Sequence, residues 1–224
     1  MRNTASRLLA TAMMIMPVCG AAAGERHDWY LKLGMAAVMY DENLDSLEVG
    51  GAPFPGGNVD LDTNWAASIT VGYHVTPELS VSMSAGSPIT VPIKATGSVA
   101  FLNDVATALE GPAIFTGNYH FTNYFGPIVP YLGGGFVWLI PFDDRDGTLS
   151  GFDVSHGFGG AVRGGFDYNI NDRWGFNVDI IKLWVNVDIK ATLPAAFGGP
   201  APVQGTIQVD PVIVNANLVY RFDW

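Results

Sequence analysis

The residues best suited to chemistry in this chain are four histidines and a scattered set of charged side chains. The histidines, at positions 27, 74, 120 and 156, do not share the spacing of metal ligands on one turn or helix. The chain has no G-x-S-x-G and no H-E-x-x-H motif, and DDRDG at 143–147 matches a calcium loop only in part. The sequence therefore predicts no catalytic residue, no metal site, no cofactor and no enzyme activity.

The polar residues instead follow an alternating pattern, which is clearest in the closing stretch VIVNANLVYRFDW, residues 212–224. Val214, Leu218 and Phe222 fall on one parity, and Asn217 and Arg221 fall on the other. A period of two indicates a strand with one apolar and one polar face. The apolar face either fills the core of a soluble protein or contacts lipid on the outside of a membrane barrel.

The first residues indicate an exported protein. Arg2 and Arg7 precede the apolar run 8–18, and small residues follow at 21–24, so residues 1–24 are predicted to be a signal peptide. This segment contains Cys19, the only cysteine, so a mature chain of residues 25–224 has no disulfide. Without Arg2 and Arg7, nine basic residues face 21 acidic ones, a net charge of −12 that argues against nucleic-acid binding.

Seven further segments alternate like the last one or approach that pattern. Hydrophobic residues make up 49% of the chain and charged residues only 14%, yet after the signal no apolar stretch is long enough for a spanning helix. Connections alternate between short turns and the long segments 41–64, 97–111, 142–156 and 191–208. We therefore predict an eight-stranded antiparallel transmembrane β-barrel with short periplasmic turns and long extracellular loops. The predicted strands are 29–40, 65–75, 79–95, 112–121, 128–141, 157–170, 174–190 and 212–224.

Aromatic residues support two membrane interfaces. Trp29 and Tyr40, and likewise Trp174 and Trp184, are ten or eleven positions apart, close to the length of a tilted spanning strand. Two such rings are not typical of a soluble barrel that carries a ligand. A soluble barrel of that kind is the competing interpretation. In 174–190 the apolar parity changes near Ile180, which predicts either a one-residue bulge or a strand leaving the membrane at that height.

The polar face of these strands should point into the barrel. An eight-stranded barrel has an interior that side chains nearly fill, so we interpret these residues as a salt-bridged plug rather than an ion path. Higher in the barrel the inward positions turn apolar, at Val38, Leu139 and Trp184, which indicates either a channel for apolar ligands or simple packing. The predicted plug comprises Lys32, His74, His120, Arg163, Asp167, Asn177, Asp179, Asn215, Asn217 and Arg221.

Two prolines interrupt the third predicted strand. Pro88 and Pro92 cannot donate hydrogen bonds to a neighbouring strand, so they mark an edge, a bulge or a break. One interpretation is a lateral seam through which a ligand leaves the barrel. The other is the upper end of a strand outside the membrane.

The chain also resembles the outer-membrane protein W family, including its alkane-uptake members. The resemblance rests on PYLGGGF at 130–136, GGFDYNINDRWGFNVDIIKLWVNVD at 164–188, KATGSV at 94–99 and VDPVIVNANLVYRF at 209–222, with GSP at 86–88 matching a proline step. Such barrels usually end on the aromatic of YRF, whereas Asp223 and Trp224 follow here.

The resemblance implies a monomeric barrel in the outer membrane of a Gram-negative bacterium. It implies a narrow apolar path for passive uptake of small hydrophobic molecules, with lateral release into the membrane. Expected partners are those solutes, outer-membrane lipid and lipopolysaccharide, and the barrel assembly machinery, which would bind the C-terminal strand. A structural or surface-interaction barrel with a closed lumen is the alternative.

Overall fold

The computed structural model describes residues 29–122, 124–195 and 200–222. The predicted signal peptide and the terminal pair Asp223 and Trp224 lie outside these residues. In the described part, no helix is long and apolar enough to cross a membrane.

The described residues form fourteen strands and one short 3-10 helix, Ala100–Leu102. The strands are β1 Trp29–Met39, β2 Glu42–Val49, β3 Ala52–Pro53, β4 Gly57–Leu61, β5 Asn64–His74, β6 Leu79–Gly86, β7 Ile89–Gly97, β8 Asp104–His120, β9 Ile128–Asp146, β10 Ser150–Val154, β11 Gly157–Asn169, β12 Trp174–Leu193, β13 Ala201–Val209 and β14 Val212–Phe222.

Eight of these strands close into an antiparallel barrel, as predicted. The order around the wall is β1, β5, β6, β8, β9, β11, β12, β14 and back to β1. Closure comes from the last strand pairing with the first, from Trp29 opposite Phe222 to Met39 opposite Val212. A closed wall leaves no strand edge in lipid, where each unpaired backbone group costs several kcal/mol.

The outer surface of this barrel is apolar between two aromatic rings. Side chains such as Leu33, Val81 and Ile180 point outward and are about half exposed, as lipid-facing residues must be. Near the short turns, Trp29 packs against Tyr73 and Trp174 against Tyr220, with ring centroids 5.1 and 4.7 Å apart. At the opposite end the outward aromatics are Trp65, Trp138, Phe158 and Trp184.

The long connections contain strands of their own, which were not predicted from the sequence. Beyond the outer aromatic ring, β8, β9 and β12 continue, and β2, β4, β7, β10 and β13 join them in a raised wall. Where the backbone ladders stop, side chains accept hydrogen bonds from backbone amides of this wall. The Leu44 amide donates to Asn58 and the Leu61 amide to Glu42. The Val154 amide donates to Asp144 and the Phe152 amide to Asp146. The long connections have a two-residue period of their own. Val203, Ile207 and Val209, for example, point inward and are buried.

Strand β12 shows why the apolar parity changes along its length. Its register with β11, β13 and β14 runs without a shift in the described residues, so there is no bulge near Ile180. Phe176 and Ile180 point outward in the lower part, whereas Val187 and Ile189 point inward in the upper part. The strand leaves the membrane: below, lipid surrounds the wall, and above, water does, so the apolar residues move to the interior.

Candidate functional site: an apolar lumen above a polar plug

The upper interior is lined by one continuous apolar cluster. Val38 and Leu139 belong to it, and both are buried. The cluster extends from the barrel into the raised wall, where Val91, Ile189 and Ile207 are also buried. The upper part of the interior is therefore lined mainly by apolar side chains, down to the polar network.

Trp184 does not belong to this lumen, and its assignment there is wrong. Its side chain is 45% exposed on the outer surface, while its neighbours Leu183 and Val185 point inward. The parity of β12 is continuous, so Trp184 shares the outward face with Ile180. It belongs to the outer aromatic ring.

One hydrogen-bonded polar pair in this interior lies above the outer ring, where β8 projects beyond the membrane. The Glu110 carboxyl is buried and accepts a hydrogen bond of 3.2 Å from the Tyr40 hydroxyl. Burial raises the pKa of Glu110 to about 7, with the carboxylate of Asp144 adding to the rise and the Tyr40 hydrogen bond opposing it. Glu110 was missed from the sequence because its segment was interpreted as a loop.

Below the apolar cluster, the predicted polar residues come together in one buried network. Lys32 on β1 makes an ion pair with Asp167 on β11, with 2.8 Å between Nζ and Oδ1. Arg163 on β11 pairs with Asp179 on β12. All four side chains are at least 94% buried, so each charge requires its partner to offset the cost of leaving water.

Neutral polar groups complete the network. Asn177 donates to the Asp167 carboxylate, Asn215 donates to the Asp179 carboxylate, and Asn217 donates to the Asn177 carbonyl, all within 2.9 Å. Two of these five residues, Asn177 and Asp179, lie on β12, and the other three lie on its neighbours β11 and β14. The alternation of β12 and β14 thus supplies one wall of the plug.

Tyr131 on β9 joins the two ion pairs and was not predicted. Its hydroxyl donates to Asp179 at 2.8 Å and accepts from Asn177 at 3.0 Å. The segment 128–141 is apolar on both faces, so this phenol was counted with the apolar residues. Its inward parity and its polar hydroxyl were the available signal.

The two predicted histidines form a layer toward the periplasmic end. The ring of His74 lies 4.8 Å from that of His120, centroid to centroid, and His120 Nε2 is 2.9 Å from the Ser80 hydroxyl. His74 Nδ1 is buried without a hydrogen-bond partner among the described residues. Arg221 lies at the edge of the plug, donating to Asn169, with a nitrogen 3.9 Å from Asp167.

The described residues contain no cluster of histidine, cysteine or carboxylate side chains that could hold a metal ion. A Ser-His contact exists at Ser80 and His120, but both side chains are 2% exposed and sealed among Tyr30, Asn118 and Tyr131. The geometry describes a closed polar layer, with no accessible nucleophile in this contact.

The ladder between β5 and its neighbour is interrupted near the two prolines. The ladder between β5 and β6 ends at Ser68 opposite Gly86. Beyond it the Ser87 amide donates to the Ala67 carbonyl, and the Ala67 amide donates to the Ser87 hydroxyl. Pro88 lies exposed in the break between β6 and β7, and Pro92 lies within β7. In the described structure β7 pairs with β8 and β4 rather than with β5.

A comparison with protein families matches residues 25–222 of this chain to the OmpW family. The chain belongs to the OmpW family. Relatives include the outer membrane protein AlkL of Ectopseudomonas oleovorans, 29% identical over 90% of this chain and 85% of the relative. Another is the dibenzothiophene metabolism operon protein PahQ of Pseudomonas aeruginosa, 26% identical over 88% of this chain and 90% of the relative.

Solved structures share the fold. The crystal structure of the outer membrane protein OprG from Pseudomonas aeruginosa superposes with a TM-score of 0.81 at 21% identity, covering 89% of this chain and 98% of OprG. The solid-state NMR structure of AlkL in DMPC lipid bilayers gives 0.70 at 29% identity, covering 94% and 98%. This chain is thus an outer-membrane barrel of a Gram-negative bacterium, similar to AlkL, and neither AlkL, PahQ nor OprG is named as an enzyme.

Proposed function

We propose that this protein takes up small hydrophobic molecules passively across the outer leaflet of the outer membrane and releases them sideways into the membrane. The solute enters at the extracellular end, moves down the apolar interior and leaves between β5 and β7. The observation that carries this proposal is that an apolar lumen ends on a plug of paired charges. An apolar solute cannot displace that plug without leaving buried charges unpaired, which costs several kcal/mol.

The break beside Pro88 supports a lateral exit. Proline has no backbone amide to donate, so a second strand cannot complete a ladder at Pro88 or Pro92. The break stands at the level where Ala66 and Ile89 are buried against the apolar lumen. A solute at this height has a polar layer beneath it and the interrupted ladder beside it.

The relatives support the solute class. Dibenzothiophene, which appears in the name of PahQ, is an apolar aromatic molecule, and the sequence resembles the alkane-uptake members of the family. Lipopolysaccharide around the raised wall and assembly machinery at the C-terminal strand are proposed partners that follow from the location. The closed-lumen alternative, a structural or surface-interaction barrel, has the same wall. A measurement of solute transport distinguishes the two.

A reversible disulfide at the lower edge of the break tests the exit. A Cβ built on Gly86 lies 3.6 Å from the Ala66 Cβ, within the range that a disulfide requires, and both positions face the lumen. The double variant Ala66→Cys Gly86→Cys would hold β5 and β6 together and narrow the exit. The residues from 25 onward contain no other cysteine, so the bond is unambiguous.

We expect cells with the oxidised double variant to take up a labelled alkane or aromatic hydrocarbon several-fold more slowly, and a reductant to restore the rate. Each single cysteine variant is the control. Equal rates in oxidised and reduced forms would exclude this exit. Uptake by the unmodified protein that equals that of an unrelated eight-stranded barrel would instead favour the closed-lumen alternative.

A further inference from the structure

The lipid-facing wall carries a groove of about 540 Å³ that uptake through the lumen does not use. Gly117 on β8 and Gly134 on β9 stand opposite each other at its floor and point outward. Leu79, Tyr119 and Leu132 form one side, and all three are about half exposed. The groove is therefore an apolar depression on the outside of the barrel.

The two glycines make this depression deep. A Cβ at Gly117 would meet nothing within 4 Å, and one at Gly134 would meet only the Ala161 carbonyl oxygen, at 3.7 Å. Neighbouring outward positions carry full side chains, such as the stacked rings of Phe115 and Phe136, whose centroids lie 4.9 Å apart. No fold requirement excludes a side chain at Gly117, so the depression is a feature of the surface rather than a result of tight packing.

The groove lies in the periplasmic leaflet. Gly117 is three residues from His120, where β8 ends beside a short turn. At about 3.3 Å per residue and a tilt of about 45°, it lies roughly 7 Å inside the barrel rim. The hydrocarbon of one leaflet is about 15 Å thick, so a phospholipid acyl chain is the surrounding material at this depth.

A second pocket, of about 570 Å³, opens at the periplasmic rim and shares Leu79 and Tyr119 with the groove. Its lining adds Glu78, His120, Tyr124 and two threonines, and among the described lining residues there is no Lys or Arg. The His120 amide donates to the Glu78 carbonyl at 2.7 Å, which fixes the turn against the end of β8. The pocket is thus lined by one acidic side chain and by the rings of Tyr119 and Tyr124.

A carboxylate beside aromatic rings fits an ammonium group, which gains an ion pair and cation–π contacts. An anionic headgroup would meet the Glu78 charge with no described cation in the lining to offset it. An apolar groove inside the membrane followed by an ammonium-binding pocket at the rim matches the order of parts in one phospholipid with an amine headgroup.

We propose that this surface binds a single phospholipid of the periplasmic leaflet, with an acyl chain in the groove at Gly117 and Gly134 and an ethanolamine-type ammonium group at Glu78. The site is separate from the lumen and from the break beside Pro88. Bound lipid would fill the depression and anchor the rim of β6 and β8 at a fixed depth.

Native mass spectrometry of the purified protein with phosphatidylethanolamine or phosphatidylglycerol tests this. We expect one phosphatidylethanolamine to stay bound at least about fivefold more than phosphatidylglycerol at equal concentration. Gly117→Leu should fill the groove and abolish this retention. Gly160→Leu is the matched control, because Gly160 also points outward, on β11, and its Cβ would meet only the Trp184 ring, at 4.0 Å.

Glu78→Gln should keep lipid bound but remove the preference between the two headgroups. If Gly117→Leu does not fold, Gly134→Leu tests the same groove. Equal binding of the two lipids by the unmodified protein, or equal retention by Gly117→Leu and Gly160→Leu, would overturn the proposal. A protein dimer that disappears with Gly117→Leu would assign the groove to a second copy instead.

Discussion

The ammonium nitrogen of Lys32 lies 3.4 Å from the hydroxyl of Tyr131, although their strands, β1 and β9, stand four positions apart in an eight-stranded wall. Strands four apart are on opposite sides of the barrel. Side chains from the two sides therefore meet at the axis, and the bore is closed at this height. The plug is a layer across the channel rather than a lining along it.

The first prediction concerns the stability of this layer. Replacing Lys32 by Met leaves the Asp167 carboxylate buried, with Asn177 as hydrogen-bond donor and Arg221 only at 3.9 Å. Removing one partner of a buried ion pair costs about 3–5 kcal/mol. We expect a loss of that size in the free energy of unfolding, measured by denaturant titration in detergent.

Lys94→Met is the matched control. Lys94 pairs with Asp62 at 2.7 Å, a distance like that of Lys32 and Asp167, but both side chains are well exposed outside the membrane. Exposed pairs contribute little because water screens them. Equal losses in the two variants would show that the Lys32 pair is not buried as described.

The second prediction separates the inside of the wall from its outside. Leu139→Gln places an amide in the apolar lumen, where it has no described partner, and should slow uptake of an apolar solute several-fold. Trp184→Gln changes the outer surface and should leave uptake per folded molecule as it was. Uptake assays normalised to the amount of folded barrel measure the effect of each variant. Slower uptake by Trp184→Gln than by Leu139→Gln would indicate that Trp184 lines the lumen.

The third prediction is a pH dependence. With the pKa of Glu110 raised to about 7, its carboxyl is neutral at pH 6 and largely charged at pH 8. Tyr40 and Asp144 are the titratable groups that bear on it. A charge in an apolar passage opposes the movement of apolar solutes, so uptake should rise as the pH falls from 8 to 6.

Glu110→Gln should take up solute at a rate independent of pH over this range, close to the rate of the unmodified protein at pH 6. Expression and folding are checked at each pH with the same cells. A pH profile that survives the substitution would assign the titration to another group.

Much of the barrel was predictable from the sequence because membrane strands show their surroundings residue by residue. Lys32, Arg163, Asp167 and Asp179 alternate with apolar residues, and a wall between lipid and lumen leaves them only the inward side. The plug residues were identified for this reason. Tyr131 was not predicted because a tyrosine is consistent with both an apolar and a polar position. Only its neighbours in the structure show which one it occupies.

Above the membrane, water surrounds the wall, so the apolar residues point inward instead of outward. The predictions from the sequence failed in this part of the chain. Trp184 was assigned inward because the apolar residues around it had changed parity, whereas the strand itself runs without a shift. The long connections were interpreted as loops because Gly, Pro and Asp are frequent in them. Pairing with distant strands, such as β13 with β2, makes them strands, and no local pattern encodes such a partner.

The sequence by itself determined the number of wall strands, their closure and the face on which each lower polar residue lies. It could do so because a period of two shows which side of a strand contacts lipid and which side faces the interior. Only the tertiary structure decided that Lys32 meets Asp167 across the bore, that Arg163 pairs with Asp179 on the neighbouring strand, and that the wall rises above the membrane around an apolar interior. Those features depend on which strands are neighbours or opposites, and that is set by closure of the whole sheet rather than by any one segment.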